Sequence, residues 1–206
     1  MIGGSATRGG RGAPAALAAA AILAAWTGTA AAASWSADRD ASRVEFVLHT
    51  FWHDVHGTSS ALEAALDSAS GDPLSDGRVS VSVDAASLVT GIGCRDRKMR
   101  ERHLEVATYP RLEFRSTAPP RKGSAPSDGV ERPVHLTVEG DLAIHGVTKR
   151  VAVSVEARAD GDGWVMKGAL VVKLSDYGVP DPGNALNNVK DDMDLGFEIR
   201  FRRRSG

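Results

Sequence analysis

One cysteine, Cys94, stands in 206 residues, so no disulfide can form within the chain even in an oxidising compartment. The fold has to hold by burial and hydrogen bonding. Aromatic side chains are also scarce, at 5% of residues, which leaves little stacking surface for single-stranded nucleic acid. Neither sign of charge dominates. A formal net charge of −1 does not announce nucleic acid or an anionic membrane as the partner.

Long apolar runs are confined to the N-terminus. Arg8 and Arg11 give a positive start with no acid nearby, Ala13–Trp26 is apolar, and Thr27–Ala33 supplies small residues. These are the three parts of a secretory signal peptide, with the cut expected after Ala33. The apolar run falls short of the about 20 residues of a bilayer span. Arg8 and Arg11 are separated by two glycines, so this is no twin-arginine signal, and no cysteine follows that could carry a lipid. Residues 1–33 are therefore expected to be removed, leaving one domain, residues 34–206, without an integral membrane segment.

From Arg43 onward the chain alternates. Val44, Phe46 and Leu48 are interleaved with Arg43, Glu45 and Val47, and Val79, Val81 and Val83 with Ser80, Ser82 and Asp84. The same rhythm runs through Leu112–Phe114, Leu136–Ile144, Val151–Val155, Trp164–Leu174 and Met193–Phe201. Period two places each apolar set on one face of a strand, and a wet opposite face marks antiparallel sheet. His145-Gly146-Val147-Thr148 and Asp160-Gly161-Asp162-Gly163 are hairpin connections. A meander this long escapes raw edges best by closing into a barrel, with a two-sheet sandwich as the competing architecture.

Arg95–Glu105 breaks the alternation. It is rich in helix formers, places Met99, His103 and Leu104 at helical spacing, pairs Asp96 with Arg100, and stops before Pro110. It predicts one short inserted helix. Ser116–Arg132 and Asp176–Asp191 read as long connections, rich in Pro and Gly.

The segment Gly140-Asp141-Leu142-Ala143-Ile144-His145-Gly146-Val147-Thr148-Lys149 closely resembles the G-D-L-T-I-H-G-V-T-K strand-turn-strand of the YceI-like family. Arg95-Asp96, His103-Leu104 and Tyr109-Pro110-Arg111-Leu112-Glu113-Phe114 resemble its R-D, H-L and Y-P-x-I-x-F elements. Phe46 with His49, Val55 with Gly57, and Ser175-Asp176-Tyr177-Gly178-Val179 match two further features. The resemblance runs in order over essentially the whole chain after residue 33. Asp181–Met193, with Asn184, Asn187 and Asn188, departs from it, as does the scarcity of aromatics. The resemblance implies an all-β fold, a closed eight-stranded lipocalin-like antiparallel barrel. It also implies export to the periplasm and, in the best-understood members, a polyisoprenoid chain in the apolar lumen.

Three groups invite a chemical interpretation. His49, His53 and His56 suggest a metal site. Taken as one strand, His49 and His53 share a face and His56 lies on the other, so no metal is expected there. Cys94 precedes Arg95, Arg97 and Lys98, cations that lower a thiol pKa, yet no Cys-x-x-Cys partner exists. The basic run Arg95, Arg97, Lys98, Arg100 and Arg102 is diluted by Asp96, Glu101 and Glu105; it reads as a solvated helix face from which an Arg could reach a ligand's polar head. Arg200, Arg202, Arg203 and Arg204 read as outward residues and a tail.

An eight-stranded barrel either fills itself with side chains or holds one small ligand. Medium aliphatics and few aromatics on the inward face favour a lumen. The expected lumen residues are Phe46, Leu142, Ile144, Val153, Trp164, Met166, Leu170, Phe197 and Ile199. At the mouth stand Arg95, Met99, His103 and Tyr177. The expected function is non-catalytic binding, sequestration or transport of an isoprenoid-type lipid or quinone, with no catalytic residue and no other cofactor. The expected partner is an apolar lipid, with no nucleic acid and a homodimer conceivable. The alternatives are a periplasmic hydrolytic or redox enzyme using His49, His53, His56 or Cys94, and a ligand-free envelope stress protein acting through its surface.

Overall fold

The computed structural model describes residues 32–123, 133–183 and 189–204. Its strands are β1 (Ala33–Ala37), β2 (Arg43–Thr50), β3 (Val55–Ser59), β4 (Leu62–Ser68), β5 (Arg78–Asp84), β6 (Arg111–Ser116), β7 (Arg121–Lys122), β8 (Val134–Ile144), β9 (Val147–Asp160), β10 (Gly163–Lys173) and β11 (Val189–Arg203). Every pairing is antiparallel.

β1 and β2 are two halves of one long stave, as are β3 and β4. β1 pairs with β4 and β2 with β3, while β11 pairs with both β1 and β2. The staves then run β1/β2, β3/β4, β5, β6, β8, β9, β10, β11 and back to β1/β2: a closed, eight-stranded meander. The alternation has physical content here, because each stave has one face toward the interior and one toward water. β7 is a short addition beside β8.

The break in the first stave is a 3-10 turn at Arg39–Ala41 that bulges away from β11. The backbone of Arg200 would lose its partners there. Instead the Asp38 amide donates to the Arg200 carbonyl at 2.8 Å, and the Arg200 amide donates to the buried Ser42 hydroxyl at 3.0 Å. Buried backbone groups are thus kept satisfied across the kink.

The two tight hairpins form as their glycines imply. Ile144 pairs with Val147, leaving His145 and Gly146 as a two-residue turn with φ of +50° and +75°. Positive φ at both positions is a type I′ turn, whose twist suits the flanking strands. Gly161, at φ +63°, turns the β9–β10 hairpin.

Two short helices interrupt the staves. α1 (Pro73–Asp76) is started by Asp72, whose carboxylate accepts from the Leu74 amide at 3.0 Å, with Pro73 in the first turn. α2 (Gly93–Lys98) continues into a π-helical turn, Met99–His103, and ends where Glu105 takes φ +45°. This is the expected inserted helix, displaced by two residues toward the N-terminus. α1 is an addition to the expectation. No helix among the described residues is long and apolar enough to cross a membrane.

The interior has two ends. At the base, Trp35, Leu62, Leu66, Leu136 and Phe201 form a dense cluster, with Phe201 and Leu62 only 1% exposed. The Trp35 indole donates to the Asp162 carbonyl at 2.9 Å, satisfying its polar edge as a buried indole requires. At the opposite end Leu88, Ile144, Leu174, Tyr177 and Val179 pack beneath the helical segment.

Candidate functional site

Between these two clusters lies a cavity of about 590 Å³, within the range of small-molecule binding sites. Val44, Phe46 and Leu48 line it from β2, Val79, Val81 and Val83 from β5, and Leu112 and Phe114 from β6. Val138, Leu142 and Ile144 of β8, Val153 and Val155 of β9, and Leu195, Phe197 and Ile199 of β11 complete much of the wall. Polar groups gather at the mouth: Thr50, Thr90, Cys94, Arg95, Lys98 and His103.

Three phenylalanines explain why the interior stays open. Phe46 pairs with Gly57, Phe197 pairs with Gly168, and Phe114 lies diagonally across from Gly140. By alternation each of these glycines faces the lumen. A Cβ at Gly57 or Gly140 would overlap the Phe46 or Phe114 ring, and one at Gly168 would lie 2.5 Å from Phe197 Cζ. Each ring therefore occupies the space over a neighbouring strand's glycine that a side chain would otherwise fill. Glycine costs stability in a strand; here the covering ring offsets that cost, and the radius of the lumen is preserved.

The expected lumen residues fall on this wall with one exception. Phe46, Leu142, Ile144, Val153, Met166, Leu170, Phe197 and Ile199 line the cavity. Trp164 does not: it packs against the base cluster, opposite Phe201 on β11. Its parity is inward as expected, but it lies too deep. At the mouth, Arg95, Met99 and His103 line the cavity, whereas Tyr177 is only 3% exposed and is packed into the cluster beneath the helix. Tyr177 is a wedge under the cap. Leu88, Thr90, Lys98, Leu104, Val179 and Pro182 also line the cavity. Most of them lie on irregular connections, where no periodicity marks a facing direction.

The helical cap is anchored at several points. The buried Asp96 carboxylate accepts from the Thr90 amide at 2.8 Å and the Thr90 hydroxyl at 2.5 Å. Burial works against its charge, but the Thr90 hydroxyl and amide, with Arg100 and Arg95 nearby, outweigh it and hold the carboxyl below its usual range. Arg95 donates from Nε to the Thr90 hydroxyl and from its NH2 group to the Thr90 carbonyl, at 2.7 and 3.0 Å. Arg100 donates to the Leu88 carbonyl at 2.9 Å. At the far end His145 Nε2 meets the Glu105 carboxylate at 2.9 Å, with the Tyr109 ring 4.5 Å away.

His103 joins the cap to the connection after β10. Its Nδ1 lies 3.0 Å from the Pro180 carbonyl oxygen. A carbonyl only accepts, so Nδ1 carries the proton and the neutral ring keeps a lone pair on Nε2. Burial pushes this imidazole down, and the hydrogen bond to Pro180 offsets it only in part. The Asp176–Asp191 connection is described up to Gly183; Asn184, Asn187 and Asn188 lie outside the described residues, as do residues 124–132 of the Ser116–Arg132 connection.

The expected parity of the three histidines needs correcting. The chain reverses at Phe51–Asp54, so counting alternation across this stretch fails. Val47 pairs with His56, which puts His49 and His56 on the same outer face and His53 in the turn. His49 is held by Asp54 at 2.9 Å and Asp194 at 3.1 Å, and these carboxylates raise its pKa, Asp54 foremost. Among the described residues no group of three or more His, Cys, Asp or Glu is arranged to hold a metal. Cys94 is a free, exposed thiol at the lumen mouth.

A closed antiparallel barrel with a plugged base, an apolar lumen and a capped mouth is a lipocalin-like architecture. Residues 35–201 match the YceI-like domain family, and the chain belongs to that family. The UPF0312 proteins of Pseudomonas savastanoi pv. phaseolicola and Pseudomonas syringae pv. syringae are each 30% identical to it, over 83% of this chain and 88% of theirs. Among solved structures, BcnA of Burkholderia cenocepacia superposes with a TM-score of 0.66 at 24% identity, covering 80% of this chain and 98% of that one. A polyisoprenoid binding domain from Saccharophagus degradans, implicated in plant cell wall breakdown, gives 0.67 at 19% identity, covering 82% and 98%. At these identities the two structures establish a common fold.

Proposed function

We propose that the protein binds the apolar chain of an isoprenoid-type lipid or isoprenoid quinone in its lumen, and sequesters or carries it without catalysing a reaction. The observation that carries this is the cavity of about 590 Å³, walled by aliphatic side chains and kept open by rings lying over glycines. The polyisoprenoid binding domain from Saccharophagus degradans has the same fold, which supports the choice of ligand class. Burial is worth roughly 0.8 kcal/mol per CH₂, so a five-carbon unit contributes about 3–4 kcal/mol before ordering costs. Two or three such units suffice for micromolar binding after several kcal/mol of losses.

We further propose export to the periplasm, with removal of residues 1–33. Residues 1–31 lie outside the described residues, and β1 begins at Ala33. A cut after Ala33 keeps Trp35 in the base, where its indole is hydrogen-bonded.

The test combines lipid extraction and native mass spectrometry of gently purified protein with titration of a fluorescent isoprenoid analogue. Leu170 lines the cavity and packs against both interior clusters. Leu170→Trp should abolish analogue binding and leave the barrel folded. A wild type that binds nothing, or a variant that binds equally well, would overturn the proposal. In a filled core the added bulk would instead cost about 1–3 kcal/mol of stability.

A further inference from the structure

We infer that the open end of the barrel docks onto the surface of an anionic phospholipid bilayer, through the β2–β3 tip and the adjoining face of the helical cap. Phe51 and Trp52 at that tip are 77% and 74% exposed and stack edge to face, 5.0 Å between ring centroids. Thr50 and Val55, on either side of them, line the lumen. The aromatic pair therefore stands directly at the entrance. Val89 and Ile92 are also exposed, and Val89 bridges to Thr58 of β3. Four of the five large hydrophobics exposed among the described residues thus flank one opening. The fifth, Val171, is on the outer wall of β10. Clustered exposed apolar groups mark an interaction surface, and an indole with its ring in apolar surroundings and its N–H in polar ones suits the bilayer interface.

Charge selects the kind of surface. Arg97, Lys98 and Arg102 are exposed on the cap, and among the described residues none has a carboxylate within ion-pair distance. Of the cap's own acids, Asp96 is buried against Thr90 and Glu105 meets His145, which leaves three unpaired cations against the exposed Glu101. Asp54 and Asp194 are engaged by His49, and Asp191 accepts from the Ser175 amide and hydroxyl. A net charge near zero hides this local excess of unpaired cations. The cap and tip face negative headgroups, and apolar insertion joined to unpaired cations is the pattern of interfacial binding.

This inference rests on the lumen holding an apolar lipid. Such a ligand is scarce in water, so loading it requires the mouth to meet a bilayer. The path from the acyl region to the lumen then runs past Phe51 and Trp52.

The experiment uses the whole secreted chain and phosphatidylglycerol–phosphatidylcholine vesicles, with phosphatidylcholine vesicles as the control. Co-sedimentation should occur with the anionic vesicles and weaken with salt. The double variant Phe51→Ser, Trp52→Ser should lose it, and brominated lipids should quench fluorescence that this variant lacks. Arg97→Glu and Arg102→Glu should each lower vesicle affinity by about fivefold or more. All of these variants should bind the soluble isoprenoid analogue as the wild type does, since none of the four residues lines the lumen. No sedimentation with anionic vesicles, or undiminished sedimentation of the aromatic double variant, overturns docking while leaving the lumen proposal standing. A self-association of the wild type that Phe51→Ser, Trp52→Ser abolishes would assign the tip to a second copy and also overturn it. Vesicle binding without analogue binding would leave docking intact and remove the lumen ligand.

Discussion

Adding one methyl group at Gly57 should close part of the lumen without unfolding the barrel. The three heavy atoms nearest to a Cβ there all belong to the Phe46 ring. Gly140 and Gly168 differ, because a Cβ at either also meets a backbone carbonyl, of Arg115 or Ser154, at 2.6 Å. In Gly57→Ala the wall backbone can therefore stay put while the phenyl ring swings inward. The ring remains buried, and alanine is favoured over glycine in a strand by roughly 0.5–1 kcal/mol, so stability should change little. The six ring carbons then occupy space that a ligand would fill with about one five-carbon isoprene unit. Losing that unit's burial removes about 3–4 kcal/mol, or roughly a hundred- to a thousandfold in affinity. Titration of a fluorescent isoprenoid analogue, alongside thermal melts, measures both quantities. Phe46→Leu combined with Gly57→Ala should restore most of the binding, because leucine ends short of the clashing ring atoms. Unchanged affinity in Gly57→Ala would refute the account of how the lumen is kept open. So would a loss of several kcal/mol of stability, which would mean the ring had no space to enter.

Other outcomes follow from the same structure. Gly146→Val forces a branched side chain to φ +75° and brings its Cβ within 2.5 Å of the Tyr109 ring; the melt should show a destabilisation on the order of 1–3 kcal/mol, and an unchanged midpoint would refute the turn. His103 should titrate below 6.5 in an NMR pH series, since burial depresses it. Because the unfolded chain then binds the extra proton, this residue's contribution is lost as pH falls below about 6.5. His103→Asn, which keeps a donor near Pro180, should flatten that part of the pH–stability curve, and an unaltered slope would count against it. N-terminal sequencing of secreted protein should begin at Ser34; a start at Met1 would refute removal of the leader.

Much of this architecture was legible because period-two alternation is geometrically rigid. Once Leu142 and Ile144 share a face, Val138 must share it too, and eight of the nine expected lumen residues fell on the cavity wall. Alternation encodes the face and not the depth, which is why Trp164 ended among the base residues. It also fails silently across a turn. Counting through Phe51–Asp54 separates His49 from His56, because this reversal carries no glycine or proline to announce it. Tyr177 is expected at the mouth, but its position on an irregular connection does not give its depth, and the ring packs beneath the cap. The lining from Leu88, Thr90 and Val179 was out of reach, since irregular segments have no period. The short helix at Pro73 was available in principle: Asp72 followed by Pro73 is a helix start.

The ring is closed by its own two ends. Trp35 sits opposite Arg203, and the Arg204 amide donates to the Ser34 carbonyl at 2.9 Å. A chain emerging from its N-terminus presents β1 first and β11 last, so no closed barrel can exist until the final strand has appeared. Until then the polymer stays an open chain that can be threaded or extended without breaking a closed ring of strands. The same sequence separation makes closure slow, and the unpaired edges of β1 and β11 stay open to wrong partners in the interval.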